Sequence, residues 1–152
     1  RKLAIKTEYS SNWRRKTGFG PYIDTAIDHK NYGALFAFSK YLTDSVKNKG
    51  EIDIFKPTKA YKHGRYYQQL NIYYTNSDST QLTVINEDSI LFSDTLKITN
   101  KISQLSFNFN STPSQLSLQF TGNNSPLLYG ISTEGKTGLV VDNIPLRGAS
   151  GT

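Results

Sequence analysis

Apolar and polar residues alternate with a period of two over much of the chain. Leu105, Phe107 and Phe109 are each separated by one polar residue, and Leu116, Leu118 and Phe120 repeat the pattern shortly afterwards. Successive side chains of a strand point to opposite faces, so each set predicts a strand with one buried face. The same reading predicts short strands at Gln81–Asn86, Ser89–Phe92, Leu96–Thr99, Gln104–Phe109, Gln115–Phe120, Leu127–Ser132 and Leu139–Val141. Their spacing of roughly 8–12 residues, with turns such as Ser111–Ser114 and Gly122–Pro126 between them, is the pattern of a sandwich or barrel.

The N-terminal half carries the same signal less regularly. Leu3–Tyr9 and Glu51–Lys56 read as strands, the second ended by Pro57, and the apolar run Gly33–Leu42 reads as a buried one. Ser10–Pro21, with two glycines and a proline, reads as a loop. Across Arg65–Thr75, Tyr66, Gln68, Leu70, Ile72 and Tyr74 fall on one face and Tyr67, Gln69, Asn71 and Tyr73 on the other. Tyrosine on both faces predicts a central strand with one side in the core and the other toward a groove or partner. No helical period is sustained, and no repeat of solenoid or propeller length occurs. The expected fold is all-β: an antiparallel β-sandwich of the jelly-roll kind, galactose-binding-domain-like, with Phe107, Phe109, Leu116, Leu118, Phe120 and Leu128 in or near the core.

At 152 residues the chain is long enough for one such core. It has no cysteine, which excludes disulfides and thiolate metal sites. It has no methionine either, including at position 1, so it is expected to be a processed or excised piece of a larger protein. No apolar stretch is long enough to span a membrane. The net charge of +6 is uneven: residues 1–76 carry +8 and 14 of the 19 aromatic rings, and residues 77–152 carry −2. Basic and aromatic residues interleaved in this way suit an anionic polysaccharide or a cell-wall surface as well as a nucleic acid. With no nucleic-acid motif in the chain, a nucleic-acid partner is not expected.

Chemistry is sparse. His29 and His63 are the only histidines and lack the spacing of a metal site, so neither a metal nor a cofactor is expected. Asp28 and His29 are adjacent and, on a strand, would point to opposite faces. No nucleophile elbow, phosphate loop or dinucleotide motif is present. Trp13, beside Arg14 and Arg15, reads either as a core or interface residue or as a ring that stacks on a sugar. Tyr61, His63, Arg65 and Tyr67 recur at every second position and would share one face of an extended segment, mixing aromatic planes with hydrogen-bond donors as a carbohydrate site does.

Leu128-Tyr129-Gly130-Ile131-Ser132 and the stretch from Val140 to Ala149, with Val141-Asp142-Asn143-Ile144 and Gly148-Ala149, resemble a segment of the SGNH/GDSL-like hydrolases, especially the bacterial peptidoglycan O-acetylesterases. In that family a jelly-roll module is inserted between the first signature block and the second, and the resembling stretch runs into the second. Tyr9-Ser10-Ser11-Asn12-Trp13 is similar to the segment that leads into the insert. The Gly-Asp-Ser block, the third-block Asn and the late Asp-x-x-His are absent from this sequence. The resemblance therefore implies a lead-in segment at 1–22, an accessory sandwich at 23–141, and a return into a hydrolase domain at 142–152. It implies that Gly148 donates its backbone N–H to an oxyanion, while the nucleophile and base lie elsewhere in the same polypeptide. The expected role is a non-catalytic, carbohydrate-binding-like part of a secreted, periplasmic or cell-surface esterase, with that hydrolase domain and a glycan or peptidoglycan as partners. The alternative is a purely structural part of the hydrolase.

Overall fold

In a computed structural model of the chain, the described residues are 5–17, 37–44, 48–58 and 65–135. They form ten strands: β1 (Lys6–Tyr9), β2 (Trp13–Thr17), β3 (Ala37–Tyr41), β4 (Lys49–Phe55), β5 (Gln69–Asn76), β6 (Gln81–Asn86), β7 (Ser89–Thr95), β8 (Thr99–Asn108), β9 (Gln115–Thr121) and β10 (Leu127–Glu134). The first sheet has the order β1-β4-β9-β6-β7 and the second the order β2-β3-β10-β5-β8, and the pairings are antiparallel. From β3 onward the chain passes between the sheets as a jelly roll does, so the all-β sandwich expected from the alternation is the fold observed.

The alternation builds the core directly. Leu116, Leu118 and Phe120 on β9 lie in register with Ile54, Ile52 and Gly50 on β4, and on the other side with Asn86, Val84 and Leu82 on β6. From the second sheet Leu70, Ile72, Tyr74 and Leu128 meet them, and Phe107 and Phe109 pack partly buried against the cluster. Each fully buried Leu, Ile or Phe contributes roughly 1.5–3 kcal/mol through area removed from water, and this cluster holds the two sheets face to face.

Three expectations are corrected. Residues 6–17 are not a lead-in to the sandwich but two of its strands, one at the edge of each sheet. The link between them is fixed by Asn12, whose Nδ2 donates to the carbonyls of Leu42 (3.1 Å) and Lys49 (2.9 Å), and whose Oδ1 accepts from Ser10 Oγ (2.8 Å). The loop reading of Ser10–Pro21 therefore misses β2. Its run Trp13-Arg14-Arg15-Lys16-Thr17 buries only the Trp13 ring, so it has no apolar alternation to detect. Leu96–Thr99 is not a separate strand either: Leu96 is a buried anchor before β8, its N–H donating to Thr80 O at 2.8 Å. The strand expected at Leu139–Val141 lies outside the described residues, as does the stretch from 142 on.

Candidate functional site

Because Leu70, Ile72 and Tyr74 of β5 face the core, Gln69, Asn71, Tyr73 and Thr75 face outward on the second sheet. Register then brings in the neighbours. Ser106 of β8 and Ser132 of β10 lie opposite Asn71, and Gln104 lies opposite Tyr73.

Asn71 organises this face. Its Oδ1 accepts from Ser106 Oγ (2.7 Å) and Gln104 Nε2 (3.0 Å), and its Nδ2 donates to Glu134 Oε1 (2.9 Å) and Ser132 Oγ (3.2 Å). Two donors and two lone pairs are all that a side-chain amide has, so Asn71 is fully used. The ring of contacts closes on itself through Gln104 Nε2 to Ser106 Oγ (2.9 Å) and Ser132 Oγ to Glu134 Oε1 (2.8 Å). Asn71 is only 2% exposed, whereas Gln104 and Ser106 are exposed and Ser132 and Glu134 half-buried. A buried amide thus holds a plate of hydroxyl, amide and carboxylate groups in place at the surface. The half-buried Tyr73 is the next outward residue along β5.

Past Tyr73 the face opens into a groove of about 640 Å³. Its walls include Lys40 of β3, Leu42 beyond it, Thr75 at the end of β5, Ile98 and Ile102 around the start of β8, and Tyr129 of β10. The Thr75 and Tyr129 hydroxyls are hydrogen-bonded at 3.2 Å where the groove meets the plate. A bulge in the β10–β5 register between Leu128 and Gly130 shifts the parity of β10, so Tyr129 at the bulge shares this side with Ser132 and Glu134 after it. The end of the groove is pinned: Tyr41 N–H donates to Ser125 Oγ (2.9 Å), Thr80 Oγ1 donates to Asn124 O (3.0 Å), and Asn124 Nδ2 donates to Asp78 Oδ2 (2.7 Å). That last bond, after the one from Ser79 N–H, holds the Asp78 carboxyl below its usual range. Together plate and groove offer fixed donors and acceptors, aromatic planes and one ammonium group, which is equipment for holding a polar ligand.

The residues picked out from sequence fall elsewhere. Trp13 is a core ring, edge-on to Tyr41 (5.5 Å), Phe120 (5.7 Å) and Tyr9 (6.1 Å), and cannot lie flat under a sugar. Tyr67 is 3% exposed, packs edge-on against Phe109 at 6.3 Å, and buries a hydroxyl that has no hydrogen-bond partner among the described residues. Burial pushes its phenol up to about 12. Arg65 is exposed in a short turn before β5, so Arg65 and Tyr67 do not share a face of a strand, and the proposed row is broken between them. Tyr61, His63 and Gly148 lie outside the described residues. Sequence reasoning grouped Asn71 and Tyr73 on one face of a strand with one side in the core and the other toward a groove or partner, without assigning which. It missed Gln104, Tyr129 and Glu134, which join them only through strand pairing.

No protein-family model matches the chain, and no curated protein sequence is significantly similar to it. Among the described residues no helix is long and apolar enough to cross a membrane.

Proposed function

We propose that this chain is a non-catalytic glycan-recognition module whose binding surface is the outer face of the second sheet, centred on Tyr73 and the Asn71 plate. The observation that carries the reading is the saturated Asn71 amide. It immobilises Gln104, Ser106, Ser132 and Glu134 beside an aromatic side chain before any ligand arrives. Sugars are bound by such arrays, with ring faces stacking on aromatics and hydroxyls exchanging bonds with fixed amides and carboxylates. Preorganisation lowers the cost of ordering side chains on binding. The resemblance of Leu128–Ser132 and Val140–Ala149 to SGNH/GDSL-like hydrolases supports the further proposal that the module belongs to a bacterial cell-envelope esterase. The reacting groups would then lie in the remainder of that polypeptide.

Titrating the 152-residue chain with soluble peptidoglycan fragments and with neutral oligosaccharides tests the recognition role. Stacking adds roughly 0.5–1.5 kcal/mol beyond area burial. Tyr73→Ala should therefore weaken a modest affinity by about 2- to 10-fold, and Gln104→Ala should weaken it as well. If no glycan binds, or both variants bind as the parent does, this reading fails. The structural alternative, a part of a hydrolase with no glycan affinity, is favoured by one observation: Ile90 and Leu91 stand exposed on the edge strand β7.

A further inference from the structure

The groove beside the plate has one sign of charge. Among the described residues that line it there is no Asp or Glu, and Lys40 is its one charged side chain. Lys40 is half-buried and has no carboxylate partner among the described residues. Across the β2–β3 pairing it sits directly opposite Arg14, another cation on the same outer face. Like charges directly opposite one another on paired strands destabilise the sheet. Arg14 is partly relieved by donating Nη1 to the carbonyls of Ser11 (2.7 Å) and Trp13 (2.8 Å). Among the described residues no comparable partner is present for Lys40. The first sheet is different: its outward positions include Glu8, Asp53 and Glu51, and Glu51 Oε1 accepts from Ser117 Oγ (2.8 Å) and Gln119 Nε2 (3.1 Å). Lys6 and Lys49 share that outer face with these carboxylates, and Glu134 stands on the plate of the second sheet. Among the described residues it is therefore the groove, rather than a whole face, that lacks a carboxylate. The ammonium lies at the end of the face that carries Tyr73 and Tyr129.

We propose that this groove receives an acidic sugar unit of the glycan bound on the adjacent plate, its carboxylate paired with the Lys40 ammonium. The proposal rests on the glycan-recognition reading above and narrows it to carboxylate-bearing glycans. Thr75 and Tyr129 line the groove, and along the outer face of β5 only Tyr73 stands between Thr75 and Asn71, so one chain can run along β5 from Asn71 to the groove without leaving the face. Leu42, Ile98 and Ile102 on the groove wall are each about half exposed and supply apolar contact for the sugar ring. They also lower the water content around Lys40, which strengthens an ion pair there relative to one on an open surface.

The test compares oligogalacturonides with the same oligomers as methyl esters, which removes the charge and keeps the sugar. Both are titrated into the full chain and into Lys40→Gln and Tyr73→Ala variants at low and moderate salt. A charge-assisted bond at a half-buried site predicts that the acid form binds about tenfold or more tightly than the ester. Lys40→Gln should erase that difference, bringing the affinity for the acid form down toward that for the ester. Binding of the acid form alone, lost in Lys40→Gln, also supports the proposal. Equal binding of acid and ester, or a preference that survives Lys40→Gln, overturns it while leaving glycan recognition standing. If neither form binds while peptidoglycan fragments or neutral oligosaccharides do, this proposal falls and recognition stands; if none of them binds, both fall. A single-stranded DNA oligomer that binds as tightly as the acid form would reveal undirected polyanion attraction and would also overturn the proposal.

Discussion

Gly50 is where the two sheets come closest around Tyr41, and adding one methyl group there measures how tightly that corner is packed. A Cβ on Gly50 would lie 2.6 Å from Tyr41 Cδ1 and 2.8 Å from both its Cβ and Cγ. Carbon atoms in contact sit roughly 3.5–4.0 Å apart, so the overlap is about 1 Å and falls at the root of the side chain rather than its tip. Tyr41 has little room to yield. It is 2% exposed, its hydroxyl donates to Gly122 O at 3.2 Å, and its ring packs edge-on against Trp13. The backbone at Gly50 is outside the left-handed region, so alanine carries no dihedral strain of its own. Overpacking of this kind costs about 1–3 kcal/mol. In a domain of this size Gly50→Ala should lower Tm by roughly 3–10 °C. Trp13 is the only tryptophan and lies against Tyr41, so its fluorescence reports unfolding by heat or urea from the site itself. In a Tyr41→Ala background the same substitution should cost clearly less, since the clashes with Cδ1 and Cγ are gone and only the 2.8 Å approach to Cβ remains. A neutral or stabilising Gly50→Ala in the parent, or an equal loss in both backgrounds, would refute the close approach.

Burial pushes Tyr41 and Tyr67 from 10.0 up to about 12, so the folded state holds both phenols neutral while the unfolded chain ionises first. Their contribution is full below pH 10 and lost as pH rises toward 12, at roughly 2–3 kcal/mol each; urea midpoints taken across that window should fall, and Tyr67→Phe should flatten the decline. Tyr67→Phe also removes a buried hydroxyl without a partner and should leave stability at neutral pH unchanged or raise it by about 1 kcal/mol, with a clear loss on denaturation counting against the assignment. Glu87, at φ 53° in the two-residue turn between β6 and β7, adopts a conformation that glycine enters freely. Glu87→Gly should therefore stabilise by up to about 1 kcal/mol, measured by thermal melting. Asn71→Asp would set a second carboxylate against Glu134 Oε1, now 2.9 Å from Asn71 Nδ2. The two groups would raise each other's pKa, so the variant's deficit should be small in acid and grow as pH climbs through the carboxylate range; a pH-independent deficit would contradict it. On the proposed reading of a non-catalytic module, the isolated chain should not turn over 4-nitrophenyl acetate above background. Turnover that survives mutation of both histidines and the serines nearest them would show a site elsewhere in the chain.

Much of the sandwich could be read in advance because period-two alternation is a local property. Leu116, Leu118 and Phe120, or Leu70, Ile72 and Tyr74, declare a strand and its buried side within six or seven residues. Once several such segments are separated by turns, two facing sheets are the way to cover all of them. The same rule put Asn71 and Tyr73 together on one face, and the structure shows that face to be the outer one. It failed where a segment's role depends on one residue or on distant ones. Trp13 sits among charged residues, and only the pairing of β2 with β3 turns its ring inward onto Tyr41 and Phe120. Tyr67 follows the parity of Tyr73 in sequence, yet it precedes the strand, and the turn there rotates it into the core beside Phe109.

The candidate site depended still more on tertiary structure. Asn71 acquires its role from Gln104 and Ser106 on one neighbouring strand and Ser132 and Glu134 on the other, each more than thirty positions away along the chain. Lys40 reaches the groove because β10 lies between β3 and β5. Alternation specifies which side of a strand a residue occupies. Only the register of long-range pairings, set by how the two apolar faces close on each other, specifies which residue stands beside it.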